Sequence, residues 1–127
     1  SADFPAWARR IASHDFDMTM DNVFNWGDPV IGVHRTYLSS NIKPIVWTNT
    51  MSYRNPKVDE VLEKAGTEVD PDKRKALYAE FQKLVTTDLP VDYINLIPYH
   101  TASLKTVGNV PATIWGPLAP YDEVFLR

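Results

Sequence analysis

An indole and a carboxylate two positions apart, Trp26 and Asp28, are the residues of this chain best suited to recognition chemistry, with Gly27 between them. A pocket for an amine-bearing organic solute needs a flat apolar wall beside a fixed negative charge, and this pair offers both. Gly27 and Pro29 predict an open loop at this point. The same residues also fit a plainer arrangement, in which Asp28 caps a helix and Trp26 is a core side chain. Asn22, Trp47 and Tyr53 lie on stretches that read as neighbouring loops and are further candidates for contact with such a solute.

Covalent chemistry finds little to work with. His14, His34 and His100 are scattered, with no pair at metal-ligand spacing, and they read as surface or hydrogen-bonded histidines. Ser39, Ser40, Ser52 and Ser103 lack the Gly-x-Ser-x-Gly context of an activated hydroxyl. The 5 glycines are dispersed, so no phosphate-cradling loop is formed. There are no cysteines, which excludes disulfides, zinc-thiolate sites and thiol nucleophiles. The expectation is a protein that is not an enzyme and carries no metal or cofactor.

The elements that must position these residues are clearest at 55–89. Asn55-Pro56 and Asp70-Pro71 each combine a capping side chain with a proline whose φ suits the first helical turn. Asp59 and Glu60 follow where a helix dipole favours negative charge. Val58, Val61, Leu62 and Ala65 form one apolar stripe, and Leu77, Phe81, Leu84 and Val85 form another. The pattern predicts a helical hairpin, its first helix closed by Gly66 in the left-handed conformation and its second stopped before Pro90. Phe4, Trp7, Ala8 and Ile11 predict a short helix near 4–13, and Val30–Leu38 predicts another. The alternation in Asp15–Met20 predicts a strand with Phe16, Met18 and Met20 on one face. Ile45–Trp47 reads as a short extended piece, Val91–Ile97 as a strand and Tyr99–Val107 as a shorter one. The tail from Asn109 shows no periodicity. Helices alternating with short strands place the fold in the α/β or α+β class, a small sheet with helices packed on it.

With 127 residues, 44% apolar and 23% charged, the chain can build one ordinary core. A formal charge of −3 argues against nucleic acid as a partner. Lys73, Arg74 and Lys75 sit among acidic neighbours and read as a solvated helix face. No apolar run approaches the roughly 20 residues of a membrane span. Ser1–Pro5 does not read as a signal peptide.

The order of features resembles a known family along nearly the whole chain, from about residue 4 to about residue 105. Phe16-Asp17-Met18-Thr19 precedes Trp26-Gly27-Asp28-Pro29; Thr48-Asn49-Thr50 and Tyr53-Arg54-Asn55-Pro56 lead into Val58-Asp59; then come Arg74, Leu77-Tyr78, Gln82-Lys83, Leu89-Pro90 and Ile97-Pro98-Tyr99-His100. This series looks like the C-terminal lobe of the extracellular solute-binding proteins of ABC importers, family 5, the peptide and nickel type. The resemblance implies an α/β fold of the two-lobe periplasmic binding protein kind (type II, cluster C-like), of which residues 1–113 would be a lobe and residues 114–127 a segment returning toward a missing N-terminal lobe. It implies a periplasmic protein that captures a peptide or similar small solute between lobes and delivers it to a membrane permease. In peptide-binding relatives an aspartate in the loop after the strand pairs with the ligand's α-ammonium, and Asp28 is its match here. Haem, nickel chelates, opines and oligosaccharides are carried by proteins of similar build. The alternative is a self-contained interaction module using the Pro- and aromatic-rich tail.

Overall fold

A computed structural model of the chain describes residues 3–23, 27–96, 98, 100–113 and 118–127. Among the described residues four α-helices and a two-stranded sheet are formed, so helix and strand are mixed in one chain. They divide into two compact units, Ser1–Asp92 and Tyr93–Arg127. No helix is long and apolar enough to cross a membrane among the described residues.

The first unit holds the helices. Helix α1 spans Phe4–Ala12, its first turn capped by the Asp3 carboxylate accepting from the Ala6 N–H at 2.8 Å. Helix α2 spans Pro29–Tyr37, capped by Asp28. A single 3-10 turn at Ser39–Asn41 follows. Helices α3 (Pro56–Thr67) and α4 (Pro71–Asp88) make the hairpin, capped by Asn55 and Asp70, each of which accepts from two backbone N–H groups.

The hairpin is the structural base of the unit. Val58, Val61 and Leu62 of α3 pack with Phe81 and Val85 of α4 and with Tyr37 at the end of α2. Val58, Val61 and Leu62 are almost wholly removed from water, a gain of about 1.5–3 kcal/mol for each side chain. Tyr37 meets the Phe81 ring edge-on at 5.2 Å and Tyr53 at 6.4 Å, the tilted geometry that aromatic quadrupoles favour. Asp59 adds a polar tie, accepting from the Ser39 backbone N–H at 2.8 Å and from its hydroxyl at 2.5 Å. The start of α3 is thereby pinned to the chain leaving α2.

Several local expectations are corrected. Gly66 does not end α3, which runs on to Thr67 and stops at Glu68 in extended conformation. Its lack of a side chain serves packing instead, since a Cβ there would lie 3.2 Å from His34 Cε1. The left-handed residue lies after α4, where Leu89 takes φ 47° just before Pro90. Residues 15–20 form no strand: no segment among the described residues pairs with them, and Met18 and Met20 are 90% and 78% exposed. An alternating pattern alone supplies no ladder, because a lone strand leaves its backbone groups without protein partners. Ile45–Trp47 is a turn, with Trp47 left-handed at φ 60°, and not an extended piece.

The described residues of 91–96 and 100–106, most of them in the second unit, form no strand. The Ile97 and Tyr99 ends of the two expected strands lie outside the described residues. Strand β1, Val107–Gly108, pairs antiparallel with strand β2, Phe125–Leu126, so the end of the aperiodic tail supplies the partner. A side chain at Gly108 would have to displace the Phe125 ring, whose Cζ lies 2.5 Å from where a Cβ would stand. Asn109, left-handed at φ 58°, donates from its side-chain amide to the Glu123 carbonyl at 3.2 Å and helps hold the two segments together.

Candidate functional site

Only one member of the expected Trp26–Asp28 pair can be placed. Trp26 lies outside the described residues. Asp28 is committed to structure: its Oδ1 accepts the Val30 N–H at 2.9 Å and the Arg74 guanidinium at 2.7 Å. Those two donors, the arginine first, hold the carboxyl below the usual aspartate range. Arg74 also donates to the Ala65 carbonyl at 3.1 Å and stands 5.4 Å from the centre of the Tyr78 ring. The Tyr78 hydroxyl lies 2.9 Å from Nε2 of His34, a buried histidine whose pKa is lowered, chiefly by that burial. Asp28, Arg74, Tyr78 and His34 form a polar seam between α2 and α4.

Tyr53 is similarly committed. Its hydroxyl donates to Asp88 Oδ2 at 2.5 Å, and the Asn55 amide donates to the same oxygen at 2.7 Å. Burial, then the hydrogen bond to Asp88, pushes the phenol up to about 12. The contact joins the residues before α3 to the last residue of α4.

A different corner gathers the parts a solute site needs. Phe4, at the start of α1, stacks on Trp7 one turn along at 5.6 Å between ring centres. On Phe4 stacks Trp47, at 6.2 Å and with the same 29° tilt. Neither Phe4 nor Trp47 is sunk in the core; they are 59% and 38% exposed. The Trp7 indole N–H donates to Thr19 Oγ1 at 3.0 Å, drawing the chain that carries Asp21 alongside the stack. The Asp21 carboxylate accepts the Asn22 backbone N–H at 2.7 Å, and the Trp47 indole N–H faces it in a weaker contact. Crowding by neighbouring atoms raises the Asp21 pKa, and those two N–H groups act in the opposite direction. Of the residues singled out in the sequence, Trp47 lies in this stack and Asn22 follows Asp21 in the chain, while Asp28 and Tyr53 are bonded within the helix framework.

The loop that presents Trp47 is stiffly held. Asn49 is fully buried and donates from its side-chain amide to the carbonyls of Leu38 and Tyr53 at 3.1 and 2.8 Å, while its Oδ1 accepts the Tyr53 N–H at 2.9 Å. Thr48 Oγ1 donates to the Ile45 carbonyl at 2.7 Å. From the turn after α1, His14 Nδ1 approaches the Thr50 carbonyl at 3.1 Å and the Ser52 hydroxyl at 3.3 Å. A bulky residue at positive φ costs free energy, and these bonds are what sustain Trp47 there. Phe4 and Trp7 escaped sequence reasoning because their spacing marked them only as one face of a short helix, and Asp21 because it follows the alternating segment and shows no pattern of its own. The i, i+3 aromatic pair at a capped helix start was the signal available.

Among the described residues, no three His, Asp or Glu side chains gather in a way that could hold a metal ion. A shallow groove of about 500 Å³ runs along α3 and α4, lined by Lys64, Glu68, Lys73, Leu77 and Glu80. It is open and mixed in charge, and it is formed away from the aromatic corner.

No protein-family model and no solved structure matches the chain. Protein XP55 of Streptomyces lividans is 35% identical over 72 residues, which are 57% of this chain and 13% of that protein. The matched stretch is thus a small part of a relative several times longer than this chain.

Proposed function

We propose that this chain is part of a solute-capture protein, the binding component of an ABC importer, and contributes one wall of a cleft closed by an opposing lobe. The carrying observation is the exposed Trp7–Phe4–Trp47 stack beside Asp21, presented on a loop fastened by Asn49 and His14. A rigid aromatic surface next to a carboxylate is suited to holding the apolar and charged parts of a small peptide or similar solute. Preorganisation matters because each rotamer left to be frozen on binding subtracts from affinity.

The order of sequence features resembles the C-terminal lobe of family 5 solute-binding proteins, and a curated relative far longer than this chain is in keeping with a multi-lobe parent. On this reading capture involves no covalent step. The ligand is enclosed by hinge closure in the periplasm and passed to a membrane permease. Asp28, matched by resemblance to the ligand-pairing aspartate, also caps α2 and ties it to α4.

Calorimetry with a peptide library tests this, comparing the chain alone with a longer polypeptide that includes the opposing lobe. The two-lobe protein is expected to bind much more tightly, because the short chain owns half the cleft. Equal affinity in both, or an unchanged two-lobe affinity after Trp47→Leu, contradicts the proposal.

A further inference from the structure

The polar seam between α2 and α4 has a proton order that its donors dictate. Arg74 can only donate, and its guanidinium reaches Asp28 Oδ1 at 2.7 Å, the Ala65 carbonyl at 3.1 Å and the Tyr78 hydroxyl oxygen at 3.5 Å. With Arg74 on that oxygen, the hydroxyl hydrogen is left to point at Nε2 of His34, 2.9 Å away. Nε2 is then an acceptor, so the buried ring is neutral and carries its proton on Nδ1. A proton arriving on Nε2 would set two donors against each other across the same contact. Turning the hydroxyl round relieves this only by taking from its hydrogen the acceptor it had. Charge adds to the conflict. His34 is faced by Asp28 ahead of α2 and by Arg74 and Tyr78 from α4, while α3 presents Gly66. The Asp28 carboxylate is already engaged by Arg74 and the Val30 N–H.

We propose that the His34–Tyr78 contact is a proton-operated latch: the neutral imidazole holds the first two turns of α2 against α4, and one proton on Nε2 loosens them while the α3–α4 hairpin stays closed. The hairpin has its own apolar base in Val58, Val61, Leu62, Phe81 and Val85, none of which titrates. Burial, the largest influence, lowers the His34 pKa; Asp28 works against it and Arg74 with it. A lowered pKa favours the neutral ring in the fold. The contribution of the latch is therefore complete above the ordinary 6.5 and is lost as pH falls below it through the folded value. Asp28 lets go later, since its carboxyl titrates below 3.8. The latch concerns α2 and its hold on α4, and it stands whether or not the chain captures a solute.

The test is an NMR titration of the isotopically labelled full chain. At mildly alkaline pH the ring nitrogen signals should show His34 protonated on Nδ1 and bare on Nε2. Its titration midpoint should lie below 6.5. Amide-exchange protection, corrected for the pH dependence of an unstructured chain, should fall several-fold in residues 30–35 across that midpoint and hold in α3 and α4. Tyr78→Phe removes the hydroxyl but keeps the ring, and should raise the midpoint toward 6.5 and release the tautomer preference. His34→Gln, which does not titrate, should abolish the step in α2. A hydrogen on Nε2 at alkaline pH, a midpoint at or above 6.5, or an unmoved midpoint in Tyr78→Phe overturns the proposal. So does an α2 step that is absent in the parent or retained in His34→Gln. Loss of α3 and α4 protection in step with α2 would be opening of the whole unit and overturns it too. If His34→Gln does not fold, the Tyr78→Phe midpoint still decides.

Discussion

Asp28 and Arg74 meet as an ion pair at 2.7 Å, although 46 residues separate them in the chain. The same aspartate oxygen caps α2, so one carboxylate both starts a helix and fastens it to α4. Removing it with Asp28→Ala should destabilise the first unit by about 1 kcal/mol through the lost cap alone. Asp28→Asn keeps a capping oxygen and should cost less. The folded carboxyl titrates below its ordinary value of 3.8, so its stabilisation is complete above that value and is lost as pH falls through it. Urea unfolding between neutral and acid pH should show a smaller acid loss in Asp28→Asn than in the parent. Identical acid limbs would refute this role.

Gly66 and His34 make a second cross-helix pair, and it predicts non-additive substitutions. Alanine at position 66 gains helix propensity of about 1 kcal/mol but places a methyl 3.2 Å from the imidazole. Gly66→Ala should therefore be near neutral in the parent and stabilising in a His34→Ala background. A double-mutant cycle measured by thermal unfolding reads this directly. Additive effects would mean that the imidazole does not limit the site.

Asn49 has no exposed surface, and its bonds join the end of α2 to Tyr53. Asn49→Ala leaves the Leu38 and Tyr53 carbonyls and the Tyr53 N–H without these partners, at an expected cost of about 2–3 kcal/mol. Asn49→Asp retains the shape but lacks the amide donors, and should be no better. Because the same network holds the Trp47 loop, the indole N–H signal of Trp47 should broaden or move in either variant. A loss below about 0.5 kcal/mol, typical of plain surface changes, would contradict the assignment.

Tyr53 offers a prediction at the alkaline end. Its phenol titrates at about 12 when folded, against an ordinary value of 10.0. A raised pKa favours the protonated form in the folded state, so its contribution is complete below 10.0 and disappears as pH rises toward 12. Ultraviolet titration should show Tyr53 and Tyr78 ionising late in the parent, and Tyr53→Phe should lose one of those late steps and show a shallower alkaline loss of stability. A normal titration of all tyrosines would discard the Tyr53–Asp88 bond as a lasting contact.

What the sequence determined by itself is local. Asn55-Pro56, Asp70-Pro71 and Asp28-Pro29 start α3, α4 and α2 because caps and proline φ act within three or four residues of one another. The apolar stripes of α3 and α4 meet for the same reason, since helical periodicity alone places them on facing sides. Whether Met18 and Met20 belonged to a strand depended on a partner segment, and none among the described residues pairs with them. Gly66 looked like a helix terminator, but the obligation it meets comes from His34 in another helix.

Tertiary structure alone decided where the charges and rings went. Asp28 had a capping role readable nearby, but its arginine is 46 residues away. Trp47 joined Phe4 and Asp21 through a turn whose positive φ is sustained by a buried asparagine and a distant histidine. Contacts within a turn of helix follow from neighbouring residue types. Contacts that close long loops are chosen by the packing of the whole unit, which no short window of sequence contains.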